Sequence, residues 1–244
     1  MRNDVPSVNR VATRSLAVAA VLSLCLPTLP AGAQSKAVPD FSGIYRSGRA
    51  NSPCGLEGVY ERSERCPITD AALERVATVD HYDDPGLRCE ADGLGRLFTR
   101  LPRPVPITQR DDEIEIFYEY FAIQRTIHLD GEPPGPDHPH TLHGYSVGRW
   151  EGDTLVVETT HLSENLFTLP TSEEARTVER YRKSERGGLY LDVVIHDPKF
   201  YDRPLALERA EFTPTPDDYI AEWECVTQEA LFTEGEIDLD AFFD

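Results

Sequence analysis

The sequence predicts a mainly β protein whose strands form an antiparallel meander that closes as a barrel or folds as a sandwich. Two observations lead to this class. From Pro104 onward, apolar and polar residues alternate with a period of two in several short stretches, as half-buried strands do. Most of these stretches are separated by short turn signals, which favours hairpin pairing. Because exposed sheet edges invite aggregation, we expect the meander to close on itself or to form two packed sheets.

About eight strands are predicted in this region, and the alternation is cleanest between Leu189 and His196. A turn of Glu151, Gly152 and Asp153 separates two of them and indicates a hairpin. The strands are expected at residues 114–121, 122–129, 145–150, 154–160, 177–183, 189–196, 205–213 and 219–225.

Four segments divide the chain. Residues 1–33 are interpreted as a signal peptide, and residues 34–100 as an irregular segment packed on the β domain. This segment contains one short helix that begins at Thr69 or Asp70, and residues 41–45 can form a first strand. The antiparallel β domain is expected at 101–228, followed by an acidic tail at 229–244 that is loosely held or docks through its aromatic end.

The signal-peptide interpretation depends on three features of the first residues. Basic residues precede an apolar run from Leu16 to Leu26, and Ala31-Gly32-Ala33 offers a cleavage site before Gln34. The run is too short for a bilayer core, which needs roughly 20 apolar residues. We therefore predict a periplasmic or secreted protein whose mature chain begins at Gln34 and is not inserted in a membrane.

The charge of the chain excludes some partners. It carries 43 acidic and 24 basic residues, a formal net charge of −19, which repels nucleic acids and anionic lipid surfaces. Glycine-rich phosphate loops and heme-attachment motifs do not occur in the sequence, and we predict no cofactor. The sequence leaves the oligomeric state open.

Four cysteines follow the signal peptide: Cys54, Cys66, Cys89 and Cys225. In an oxidising compartment an even number predicts disulfides, here with three possible pairings. We favour Cys54 with Cys66, which closes a short loop, and Cys89 with Cys225, which ties the start of the β region to its last strand. Zinc binding is not favoured because paired C-x-x-C spacing does not occur.

The stretch Gly144-Tyr145-Ser146-Val147-Gly148-Arg149-Trp150-Glu151-Gly152-Asp153-Thr154-Leu155-Val156-Val157-Glu158-Thr159 is distinctive. It resembles a family of exported, uncharacterised bacterial proteins that carry G-x-S-x-G-x-W-E-G-D-T-L-V-V-x-T. The likeness covers roughly residues 82–228 and implies an exported location and an architecture rather than a reaction. The chain departs from the family at Pro170-Thr171-Ser172, where such proteins read P-H-S. A fainter resemblance to lipocalin-like barrels is carried by Gly43-Ile44-Tyr45, a partial match to G-x-W.

A histidine cluster is the best candidate for catalysis. Imidazoles titrate near neutral pH and also bind transition metals, so the cluster suits either a general base or a metal site. The alternative is a solvated proline-rich loop in which histidines fit the turn geometry. The candidate residues are His138, His140, His143 and His161.

Candidate ligand-binding residues are the aromatic and charged side chains on the predicted strands. Glu119 and Arg125 are expected to face each other as an ion pair, from which Arg125 can orient a carboxylate ligand. A serine-hydrolase role for Ser146 in G-x-S-x-G is not favoured, because the motif leads into a strand rather than a helix. The candidates are Tyr118, Glu119, Tyr120, Arg125, Tyr145 and Trp150.

Three functions remain open at this point. The first is an exported barrel that binds a small, largely apolar or aromatic organic molecule, for which a closed barrel offers just enough interior. The second is a cofactor-independent lyase, isomerase or hydrolase of a small molecule with a histidine base. The third is a cell-envelope interaction module that acts through the acidic tail.

Overall fold

The computed structural model describes residues 38–55, 60–91, 93–99 and 103–227. These residues belong to a unit that begins after Ser35. The predicted signal peptide at 1–33 and the predicted acidic tail at 229–244 lie outside the described residues.

In the residues that the structure describes, ten strands make up a single sheet. Their inward positions carry mostly branched and aromatic residues, which suit a pleated, buried surface. In chain order the strands are β1 (Gly43–Arg46), β2 (Pro104–Gln109), β3 (Glu113–Tyr118), β4 (Ile123–His128), β5 (Tyr145–Glu151), β6 (Thr154–Thr160), β7 (Arg176–Lys183), β8 (Leu189–His196), β9 (Leu205–Ala206) and β10 (Ala210–Pro214).

The sheet closes into a barrel, which confirms the predicted fold class. Strands β1 to β8 lie side by side in chain order, and β10 completes the circle by pairing with both β8 and β1. The barrel therefore has nine strands, while the two-residue strand β9 pairs with β8 beyond β10. Closure leaves few free sheet edges, in line with the reason for predicting it.

One pair of neighbours departs from the predicted antiparallel meander. Strands β4 and β5 run parallel, with Ile127 opposite Ser146 and His128 opposite Val147. Parallel neighbours need a crossover of about a dozen residues or more, because the chain must return to the end from which it started. Residues 129–144 supply this length, and the barrel is mixed.

The N-terminal segment contains the predicted helix and one that was not predicted. Helix α1 (Asp70–Val76) begins as expected, with the Thr69 hydroxyl accepting a hydrogen bond from the Ala72 amide. Helix α2 (Leu94–Thr99) was missed because six residues are too few to show a helical period. Within the described part of the chain, no helix is long and apolar enough to cross a membrane.

The end of the β region differs from the prediction in two places. The strand expected at 205–213 is interrupted and forms β9 and β10. The strand expected at 219–225 is wrong, since these residues form no strand. The place beside β1 is already taken by β10, and two prolines, Pro214 and Pro216, stand where the chain leaves the sheet.

The barrel interior is filled by side chains. Most inward-facing residues on the barrel strands are at most 8% exposed, and most of these are aliphatic or aromatic. Protein interiors are packed at the density of organic crystals, so a ligand inside would have to displace these groups. The interior is therefore a core, and a site for small molecules has to be sought elsewhere.

Both predicted disulfides are confirmed. One joins Cys54 to Cys66, 12 residues apart, and the other joins Cys89 to Cys225, 136 residues apart. The second bond fixes the irregular C-terminal segment to the N-terminal segment. Two disulfides indicate an oxidising, non-cytoplasmic compartment.

The two disulfides should differ in their effect on stability. In the chain-entropy model, cross-linking restricts the unfolded chain more when the closed loop is longer. For loops of 12 and 136 residues the model gives about 3 and about 5 kcal/mol. We expect Cys89→Ser/Cys225→Ser to lower the free energy of unfolding in urea more than Cys54→Ser/Cys66→Ser does. An equal or reversed order would contradict this explanation.

Candidate functional site

A buried ion pair between Arg125 on β4 and Glu179 on β7 occupies the barrel interior. The guanidinium donates to both carboxylate oxygens, from Nη1 at 2.8 Å and from Nη2 at 2.6 Å. The two side chains are 2% and 0% exposed. Charges this deeply buried are tolerated only when they are paired and hydrogen-bonded.

Neighbouring hydroxyl groups form further hydrogen bonds with both members of the pair. Arg125 also donates to Ser146 Oγ at 3.0 and 3.1 Å and to Thr159 Oγ1 at 2.9 Å. Glu179 accepts from the Tyr181 hydroxyl at 2.8 Å and from Thr177 Oγ1 at 3.2 Å. The network thus joins strands β4, β5, β6 and β7, and it bridges the parallel pair.

Burial and charge shift the pKa values in this network in one direction. Burial raises the pKa of Tyr181, and the Glu179 charge raises it further. Burial also raises the pKa of Tyr118, an effect that Arg125 partly opposes. For Arg125, burial alone lowers the pKa, but the charge and hydrogen bonds of Glu179 more than reverse this. The tyrosines therefore stay neutral, and the Arg125 guanidinium stays protonated.

The expected ion pair between Glu119 and Arg125 is wrong. The strands end before Glu119, which lies in the turn between β3 and β4, where residues 120–122 form a 3₁₀ turn. Its carboxylate accepts instead from Arg103 Nη1 at 2.8 Å and from the Ala221 amide at 3.3 Å. The role in which Arg125 orients a ligand carboxylate finds no support, because Glu179 already holds that guanidinium.

The G-x-S-x-G string has a structural explanation. Gly144 has a positive φ of 62°, and a Cβ there would lie 2.3 Å from the carbonyl oxygen of Thr160. At Gly148 a Cβ would lie 2.8 Å from Ile127, where β5 packs closely on β4. Ser146 between them is buried and bound by Arg125, so its hydroxyl is committed to the core.

Other candidate ligand-binding residues serve packing at two separate places. The Tyr120 ring contacts Trp223 at 4.7 Å between centroids and lies under the Arg103 guanidinium, an arrangement that holds the C-terminal segment. Trp150 packs on Phe41, 5.1 Å between centroids. Of the six candidates, Tyr118, Glu119 and Tyr120 line one small cavity, and Arg125, Tyr145 and Trp150 are not among its lining residues.

Three of the four candidate histidines lie together on the outside of the barrel. The rings of His138 and His161 are 5.5 Å apart between centroids, and those of His140 and His161 are 5.3 Å apart. His138 also meets the edge of Tyr145 at 5.0 Å. A residue outside the prediction, His128, stacks on Tyr145 at 4.6 Å between ring centroids. His143 is half-buried in the same loop.

Hydrogen bonds hold this loop against the segment that follows β6. His140 Nδ1 bonds the carbonyl oxygen of Leu162 at 2.8 Å, and His161 Nδ1 bonds Thr160 Oγ1 at 2.9 Å. The Thr141 amide donates to the His161 carbonyl at 2.9 Å. In the described ranges, no group of three or more His, Cys, Asp or Glu side chains is arranged to hold a metal ion.

A groove of about 240 Å³ lies beside the histidine cluster. Its roof consists of residues 131–134, which belong to the proline-rich loop between β4 and β5. Its floor is the outer face of β5 and β6. Thr160 connects the two features, because it lines the groove and bonds His161. The lining residues are Gly131, Pro133, Pro134, Val147, Gly148, Arg149, Glu158 and Thr160.

Two opposite charges lie in this otherwise apolar groove. Arg149 bonds Glu151 at 2.8 Å, while Glu158 is 3.4 Å from Arg176. Hydrogen bonds from Arg180 and then from Arg149 lower the pKa of Glu151, so that carboxylate is firmly ionised. The groove therefore offers one cation and one anion whose present partners lie outside it.

Two comparisons with known proteins bear on these sites. No family model matches the chain, and no curated protein matches it. The resemblance carried by residues 144–159 therefore stays a prediction.

Two features of the site were missed from the sequence. Glu179 is on the inward face of β7 between Thr177 and Tyr181, and period-two alternation alone does not separate it from an outward glutamate. The groove joins residues 131–134 to β5 and β6 through the return of a long loop. No local sequence pattern predicts that this loop brings residues 131–134 back to β5 and β6.

The Arg125–Glu179 pair should be strongly coupled. Replacing Arg125 alone by Met leaves a buried carboxylate without its counter-charge, and we expect a loss of about 3–5 kcal/mol in the free energy of unfolding. The double variant Arg125→Met/Glu179→Met should lose less, because neither charge is left alone. Urea unfolding measures both.

The surface pair of Arg209 with Asp192 provides the matched control. Arg209→Met should change stability little, since water solvates the remaining aspartate. If Arg125→Met behaves like Arg209→Met, the buried pair is not a stability determinant.

Proposed function

We propose that this protein is an exported, periplasmic or secreted, barrel protein that binds a small, largely apolar or aromatic organic molecule in the groove. The observation that carries the proposal is the combination of a filled barrel with a partly apolar groove on its outer face. Small-molecule sites are typically concave and apolar with a few polar groups. The groove fits that description, and at about 240 Å³ it suits a compound with a single ring.

The stiffness of the groove supports binding. Prolines at 133 and 134 fix the backbone of the roof, and the floor is a paired sheet. Little conformational entropy is then lost when a ligand is held between them. The two disulfides agree with residence in an oxidising compartment such as the periplasm.

A second candidate, a cofactor-independent lyase, isomerase or hydrolase, is favoured by the assembly of His138, His140 and His161. Its general base would be the histidine nearest the bound molecule. These rings contact one another and the backbone beside the groove rather than lining it. Binding is therefore the better supported function.

Filling the groove should abolish binding. Val147 is half-buried on the outer face of β5 and lines the groove, so Val147→Trp should occupy the space and weaken binding by tenfold or more. The measurement is calorimetric titration with benzyl alcohol and with phenol.

Val194→Trp is the matched control. Val194 is a half-buried valine on the outer face of β8, away from the lining residues. We expect this variant to bind as the parent does. If no compound binds, or if both variants bind equally well, the proposed site is wrong.

The two candidate functions differ in what happens to the bound molecule. A binding protein returns it unchanged, so ligand captured from a metabolite extract should show the same mass after incubation. Product formation that falls about 10²–10⁴-fold in His138→Gln, His140→Gln, His143→Gln or His161→Gln would instead support a histidine base. Mass spectrometry of ligand and product separates the two.

A further inference from the structure

Building on the proposed function, we infer that the groove selects a zwitterion, namely an apolar α-amino acid whose ammonium faces Glu158 and whose carboxylate faces Arg149. The inference uses the two charged residues among those that line the groove. It narrows the ligand from a small apolar or aromatic molecule to one with a defined pair of charged groups.

The register of the sheet sets the spacing of these two charges. Arg149 is opposite Val156, and Glu158 is opposite Val147, so the two charged residues are diagonal neighbours across β5 and β6. Diagonal neighbours on one face have Cβ atoms roughly 7–8 Å apart. Both side chains are long enough to lean toward a molecule held between them.

Neither charge is locked in its present pair. The side chains of Arg149 and Glu158 are 58% and 45% exposed, and each pairs with a different exposed neighbour. Exposed ion pairs contribute little to stability because water solvates their members well. Both side chains can therefore exchange a surface partner for a ligand group at little cost.

The presence of both signs argues against a ligand with a single charge. A carboxylate placed near Arg149 would approach Glu158, and an ammonium placed near Glu158 would approach Arg149. Like charges brought together repel each other, and this repulsion opposes the binding of a ligand with a single charge. A molecule with both groups satisfies both residues at once.

The remaining walls of the groove determine which side chain the bound amino acid can carry. Pro133, Pro134 and Val147 offer an apolar surface, against which an aliphatic or aromatic side chain can pack. A volume of about 240 Å³ is below the usual range for drug-sized ligands. An apolar amino acid therefore matches the groove in charge, polarity and size.

The test removes one charge at a time from the ligand and from the protein. Phenylalanine carries both charges, N-acetylphenylalanine lacks the ammonium, and phenylalaninamide lacks the carboxylate. Calorimetric titration of the full mature chain should show phenylalanine binding about threefold more tightly than either derivative, since each derivative loses one contact with a solvent-exposed charge.

Each protein variant should remove one of these binding preferences and keep the other. Glu158→Gln should lose the preference for phenylalanine over N-acetylphenylalanine but keep the preference over phenylalaninamide. Arg149→Gln should do the opposite. Glu74→Gln, an exposed position on α1, should keep both preferences. Thermal unfolding verifies that each variant is folded.

The outcomes separate this inference from the proposed function. If benzyl alcohol binds in the groove but all three phenylalanine compounds bind equally, the zwitterion inference is overturned and the binding function stands. If the variants change both preferences together, the assignment of one charge to each residue is also overturned. If neither benzyl alcohol nor any phenylalanine compound binds, the proposed function and the inference fail together.

Discussion

Enclosing Arg125 and Glu179 inside the barrel constrains the arrangement of the strands around them. Each charge would cost several kcal/mol to bury alone, so both have to meet at short range with their remaining hydrogen-bonding groups satisfied. Ser146, Thr159, Thr177 and Tyr181 meet that requirement from three strands. A shift of one residue in any of these strands would turn its partner outward and leave a charge unsatisfied. The network therefore favours one register across β4 to β7, including the parallel pair.

The fold class could be predicted because period-two alternation is a local property of each strand. Hairpins followed from the same pattern and from short turns, as at Gly152. The parallel pair could not be predicted, because its direction depends on where residues 129–144 lead the chain. The last expected strand failed for a related reason. The stretch 219–225 alternates like a strand, but β10 already occupies the available edge.

The candidate site was predicted only in part, and the reason is again physical. His138 and His140 were found because titratable side chains are concentrated in one loop, and His161 was found because it follows the next hairpin. Arg125 was singled out correctly as unusual, but its partner was assigned to a sequence neighbour instead of to Glu179, three strands away. Outward residues such as Arg149 and Glu158 look like ordinary surface charges in the sequence, which does not show that residues 131–134 line the same groove. The filled interior then moves the candidate binding site from the lumen to the outer face.

The closure of the barrel through β10 has a consequence for biosynthesis. Synthesis begins at the N-terminus, so β1 is made long before β10, the strand that pairs with its second edge. Tyr45 on β1 can therefore lie opposite Pro214 on β10 only after most of the barrel has been synthesised. During that interval β1 can pair with β2 alone, and its other edge remains a template for foreign strands. Contacts so distant in sequence also form slowly. The second edge of β1 is thus protected only once β10 has been synthesised and has paired with it.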